Sequence, residues 1–200
     1  MLPDRGAFGG RLGIMPGMRR LVAMALAVVA TCAEVPAVAS QDDPRLDALF
    51  QRLLAAASQA AAAPIEQEIW QIWIEWDDGD VSRSMRRGVE ALNGGDFRVA
   101  LDAFNRIVEA APEFSEGWNK RATLYYLAGH LEASVADVKR TLALEPRHFG
   151  ALSGLALIRE LQGRPFDALE ALESVTKIHP QLPHLKQRID RLTEQLGDPI

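Results

Sequence analysis

Apolar residues recur at helical spacing along most of the chain after residue 44. Leu46, Leu49, Phe50, Leu53 and Leu54 share one stripe, which predicts a helix from Pro44 to about Ala60. Ala60 to Pro64 reads as a small-residue connection. Ile69, Ile72, Trp73 and Trp76 then mark one face of a second helix over 65–76. Three helical pairs follow, over 81–93 with 97–110, 115–128 with 131–144, and 149–162 with 165–178. Glycine closes the first helix of each pair, because it tolerates the left-handed backbone needed past a helix end. Proline punctuates the end of each second helix, and Pro165 opens its helix where a missing N–H costs nothing. A last amphipathic helix over 182–196 carries Leu185, Ile189, Leu192 and Leu196 against Lys186, Gln187, Arg188, Asp190 and Arg191. Every element is helical, so the fold class is all-α.

The helical pairs repeat with a period of 34 residues. Pro112, Pro146 and Pro180 keep that spacing, as do Gly95, Gly129 and Gly163. So do Gly88, Ala122 and Ala156, Ala100, Ser134 and Ala168, and the larger series Phe104, Val138 and Leu172. Small residues are expected where the two helices of a unit cross, since they let backbones approach. The larger series is expected to fill the gap to the next unit.

This pattern resembles the tetratricopeptide repeat (TPR). Trp118, Tyr125, Gly129 and Pro146 stand at the family's Trp, Tyr, Gly and Pro positions in the second unit. Val138 and Ser134 depart from its usual Phe and Ala. In the first unit Gly88, Ala100, Phe104 and Pro112 match and Ser84 replaces the Trp; the third unit keeps Ala156, Gly163, Ala168 and Pro180. The stretches 116–123 and 145–152 also look like segments of small exported bacterial TPR proteins with no assigned reaction. The resemblance implies an α-solenoid with repeats over 81–114, 115–148 and 149–182. Residues 40–80 are expected to form a helical pair packed on the first repeat, with Gln41 to Arg45 frayed, and 183–200 a capping helix and tail.

The resemblance further implies a concave peptide groove lined by the first helix of each unit. It maps to Ser82, Met85, Val89 and Leu92, then Asn119, Thr123 and Tyr126, then Ser153, Leu157 and Glu160. Some members clamp a peptide carboxylate with basic and amide side chains. The corresponding residues here are Met85, Val89, Lys120, Gly150 and Gly154, of which one is basic, so such a clamp is not expected. A mostly neutral groove favours a segment held by apolar anchors.

Charge and the leader refine this picture. Residues 41–200 carry a formal charge of −7, which gives no electrostatic reason to bind nucleic acid or anionic lipid. Arg19 and Arg20 precede the apolar run 21–30, and Ala37-Val38-Ala39 follows, in the order of a cleavable export signal. Residues 1–39 are therefore expected to be a signal peptide, giving a periplasmic protein that starts at Ser40 without membrane insertion. The glycine-rich start leaves Met1, Met15 and Met18 as alternative initiation sites. Cys32 sits where a lipoprotein cysteine would, although Thr31 departs from the residue normally before it, so a lipid anchor is the alternative.

Candidate chemistry is sparse. Trp70, Trp73 and Trp76 recur at spacing three, and Trp70 lies off the apolar stripe, as an aromatic anchor for a partner would. The alternative is core packing. Asp77-Asp78-Gly79-Asp80 lacks a calcium-loop pattern and reads as a turn with Asp80 capping the next helix. His130, His148, His179 and His184 form no metal-spaced pair. With no phosphate loop, nucleophile elbow or zinc-hydrolase motif, the expectation is a monomeric scaffold or adaptor for a protein or peptide partner, without cofactor, metal or enzymatic activity. A self-associating envelope component and an accessory subunit of an envelope-polymer enzyme are the alternatives.

Overall fold

The computed structural model of the chain describes residues 40–197. The expected signal peptide, Cys32 and the three candidate start sites lie outside the described residues. Among those described there are nine α-helices and no strand. A short 3-10 turn, Ser40–Asp42, leads into α1 (Arg45–Leu54) and α2 (Gln59–Ile74). The repeats follow as α3 (Gly79–Asn93) with α4 (Phe97–Ala110), α5 (Ser115–Leu127) with α6 (Leu131–Leu144), and α7 (Phe149–Leu161) with α8 (Pro165–Thr176). The last helix, α9 (Leu185–Leu196), packs on α8 and buries Leu185 and Leu192 there.

The three glycines that close the first helices act alike. Gly95, Gly129 and Gly163 have φ of 77°, 78° and 67°. Each follows its helix with the same pair of bonds: Asp96 N–H to Ala91 O with Gly95 N–H to Leu92 O, and their counterparts at His130/Gly129 and Arg164/Gly163. This is the glycine C-cap that satisfies otherwise orphan carbonyls. The crossing column is matched in volume to the larger series within its own unit. A Cβ on Gly88 would lie 2.4 Å from the Phe104 ring, so the bulkiest partner demands glycine. Alanine serves at 122 and 156, where the partners are Val138 and Leu172.

Four boundaries differ from the sequence reading. Helix α1 ends at Leu54, and Ala60 to Pro64 are helical rather than a connection, because Ser58 caps α2 by accepting the Ala61 N–H. Asp78, not Asp80, caps α3; its carboxylate accepts the Asp80 and Val81 N–H groups. Gln41 is not frayed: its side-chain amide donates to Glu113 O at 2.7 Å. Ser40 and Gln41 are both buried.

The largest difference concerns α1 and α2. They do not simply extend the stack before the first repeat. Helix α2 crosses the turns between repeats as a strap. Trp76 packs on Phe114 at 4.7 Å between centroids, Trp73 stacks on His148 at 4.1 Å, and Glu66 faces His179 Nε2 at 3.2 Å. Leu46, Leu49, Phe50, Leu53, Ile69 and Trp73 thereby join Phe149, Leu152 and Leu172 in one core cluster.

Candidate functional site

Helices α5 and α7 present their first-helix faces across a cleft of about 280 Å³. Of the expected groove residues, Asn119, Thr123, Tyr126, Ser153 and Leu157 line it. Its floor is Ala122, Val138, Ala151 and Ile158, and its lip is made by Leu127 and Leu157, 53% and 40% exposed. The polar groups are mostly engaged internally: Thr123 Oγ1 donates to Asn119 O, and Asn119 Nδ2 to Glu116 Oε2. Ser153 Oγ is buried and has no hydrogen-bond partner among the described residues.

The other expected groove residues lie elsewhere. Met85 is buried in the core with Phe104 and Phe114, and Val89 and Leu92 pack against that cluster. Ser82 Oγ donates to Trp76 O. Glu160 is held by Arg188 at 2.6 Å and Arg191 at 3.2 Å, both from α9. The capping helix therefore claims the third-repeat end of the row, a tertiary choice with no local sequence signal.

Trp70 is not a free anchor. Its indole is half-buried, edge-on to Trp73, His148 and Phe149, and its Nε1 donates to Glu66. It sits over Gly150; a Cβ on Gly150 would lie 2.7 Å from the indole. Ile74, 49% exposed, is the large apolar side chain of α2 that does face outward.

Glycine at the other cleft position has a different environment. A Cβ on Gly154 would meet nothing within 4 Å. Gly154→Ala is expected to stabilise the protein by about 0.5–1 kcal/mol through helix propensity. Gly150→Ala, which must displace Trp70, is expected to destabilise it by about 1–3 kcal/mol. Thermal unfolding of the two variants checks this; equal effects would mean that Trp70 does not rest on Gly150.

Beneath Trp70 lies a buried polar cluster that the sequence did not expose. Glu116 and His148 are fully buried and paired at 3.0 Å. His148 Nδ1 accepts the Ala151 N–H as the cap of α7, so Nε2 carries the proton and donates to Glu116 Oε2. Lys120 Nζ lies 2.8 Å from Glu116 Oε1, which occupies the one basic group at the clamp positions. Burial pushes the Glu116 carboxyl up, but the Lys120 ammonium and the His148 bond outweigh it and hold the pKa below the usual carboxylate value. The pair resembles an acid–base dyad in composition only; the Trp73 indole covers His148, and neither group reaches solvent. Among the described residues no group of three His, Cys, Asp or Glu is placed to hold a metal.

Comparison with known proteins agrees with this architecture. The tetratricopeptide-repeat profile matches residues 85–140 and 119–183. A TPR repeat-containing protein of Rhizobium etli is 32% identical over 158 residues, covering 79% of this chain and 78% of the relative. The crystal structure of MamA aligns with a TM-score of 0.56 at 18% identity, over 78% of this chain and 84% of MamA. The TPR2B domain of yeast Sti1, solved as a pHsp70 complex, aligns at a TM-score of 0.55 and 18% identity, over 59% of this chain and 99% of the domain. At such identities the two structures speak to the fold alone. The repeat columns, the glycine caps and the Rhizobium relative together show that the chain belongs to the tetratricopeptide-repeat family, an α-solenoid family of protein–protein interaction modules.

Proposed function

We propose that the protein is a periplasmic scaffold or adaptor that holds an apolar or neutral segment of an envelope protein in the cleft between α5 and α7. The observation that carries this reading is the chemistry of the cleft. Its walls are uncharged, its floor is aliphatic, and Gly154 leaves bare backbone within reach of a ligand. Such a surface suits an inserted apolar side chain better than a charged ligand. The export reading rests on the leader sequence and its Ala37-Val38-Ala39 signal. An adaptor role without catalysis fits the sealed Glu116–His148 pair, whose groups cannot touch a substrate.

A photo-crosslinking residue at Leu157 or Tyr126, placed in the native host, is expected to give one discrete adduct with an envelope protein. The same residue at exposed Lys139 on α6 serves as control. Adducts at neither cleft position, or equally at Lys139, would sink the reading. Mass spectrometry of the purified protein is expected to give Ser40 as the mature N-terminus; an intact leader or a lipidated Cys32 would refute the free periplasmic form.

A further inference from the structure

The repeats align 34 residues apart, and two positions in the first repeat lack what the second provides. In the second repeat two guanidinium groups lie over the Trp118 ring, Arg121 at 4.9 Å and Arg140 at 5.8 Å from its centroid. Arg121 also donates to both carboxylate oxygens of Asp137, at 2.7 and 2.9 Å. Aromatic ring, two arginines and carboxylate form one packed layer on the flank of the unit. The first repeat keeps both arginines, Arg87 and Arg106, at the equivalent positions. Ser84 replaces the tryptophan and Ala103 replaces the aspartate.

The result is a hollow of about 640 Å³ lined by Arg83, Ser84, Arg87 and Arg106. Arg87 and Arg106 make no ion pair or side-chain hydrogen bond among the described residues. Asp78 and Asp80 border the hollow but are already engaged, Asp78 as the cap of α3 and Asp80 with Arg83. The third repeat behaves differently. Its equivalent residues are Leu152, Leu155, Ala171 and Ser174, so both arginines are gone along with their partners. Only the first repeat retains the cationic half of the layer without the aromatic and acidic half.

We propose that this hollow docks an acidic segment of a partner protein, one that brings an aromatic side chain beside a carboxylate. The partner's ring packs against Arg87 and Arg106 as Trp118 packs against Arg121 and Arg140, and its carboxylate takes the fork of Arg87 as Asp137 takes that of Arg121. The surface is separate from the cleft between α5 and α7, so it stands or falls independently of that site.

The test uses the acetylated, amidated peptide Gly-Glu-Trp-Glu-Gly, titrated into the 15N-labelled protein and followed by NMR. Saturable shifts are expected at the Ser84 amide and at the Nε–H groups of Arg87 and Arg106. Control peptides with Gln for both Glu, or Ala for Trp, are expected to bind about tenfold more weakly or worse. Arg87→Gln combined with Arg106→Gln is expected to weaken the probe by a similar factor while leaving the helical circular dichroism unchanged. Ser84→Trp with Ala103→Asp rebuilds the layer from within, and is expected to abolish binding and raise Tm. Absence of saturable shifts would overturn the proposal, as would equal binding of the controls or binding indifferent to the arginines. It would also fall if dilution alone moved the same resonances, since the occupant would then be a second copy of the chain.

Discussion

Replacing Trp73 with alanine is expected to lower the unfolding free energy by about 3–5 kcal/mol. Stabilities of single domains run to about 5–15 kcal/mol, so this is a large part of the whole. The cause is the strap. Trp73 is fully buried and touches four rings: it stacks on His148 with an interplanar angle of 8°, meets Trp70 edge-on at 5.2 Å, and packs on Phe149 at 5.1 Å and Phe50 at 5.9 Å. Its removal leaves a void between α1, α2 and α7 that no short side chain can fill. Its indole Nε1 is buried without a hydrogen-bond partner among the described residues, so the residue serves through shape rather than polarity. Trp73→Phe keeps most of the apolar contact and removes that orphan N–H, and should retain most of the stability. Urea unfolding followed by far-UV circular dichroism measures both variants. A loss below about 1 kcal/mol for Trp73→Ala would show that the strap is not part of the cooperative core.

That energy is concentrated in burial. Ser40 Oγ donates to Trp73 O and Gln41 accepts the Ser115 N–H, and these bonds fix the entry of the strap. The Arg147–Asp47 pair bridges α1 to the turn at the end of α6, but Asp47 is largely exposed and such a pair contributes little. Arg147 matters more through its guanidinium, which covers the Phe50 ring at 4.3 Å.

The repeats were legible in the sequence because their determinants are local and periodic. A positive-φ glycine such as Gly129, and a volume-matched pair such as Gly88 with Phe104, leave marks at fixed spacing. The strap was legible only as an amphipathic helix. Its stripe of Ile69, Ile72 and Trp73 says that one face is buried and not what buries it. The covering surface comes from His148, Phe149 and His179, turn and helix-start residues that look unremarkable in the chain. Trp70 shows the same limit: it lies off the stripe, yet the bare backbone of Gly150 makes room for it. The candidate cleft followed from the repeat register for α5 and α7. It failed for Glu160 because α9 folds back onto the third repeat with Arg188 and Arg191.

Acid is expected to unfold this protein partly through Glu116, and Glu116→Gln should blunt that sensitivity. The carboxylate is sealed among His148 Nε2, Asn119 Nδ2 and Lys120 Nζ, at 3.0, 2.8 and 2.8 Å. In the unfolded chain its pKa returns to about 4.3. In the folded chain burial raises it and Lys120 and His148 lower it further, leaving a net depression. A depressed folded value means that the unfolded state binds the proton first as pH falls. The contribution to stability is thus complete above the unfolded pKa and drains away as pH drops through the folded one. Glutamine preserves the volume and can still accept from His148 and Asn119, but it cannot pair with the Lys120 charge. The variant should lose about 1–3 kcal/mol at pH 7, where the wild-type pair is intact. Below the folded pKa of Glu116 both proteins hold a neutral group at this position, so the two stability curves should converge there. Urea titrations between pH 7 and pH 3 measure the difference between them. A difference that stays constant with pH would mean that the loss comes from repacking alone, and that the buried charge beside His148 does not contribute to the acid response.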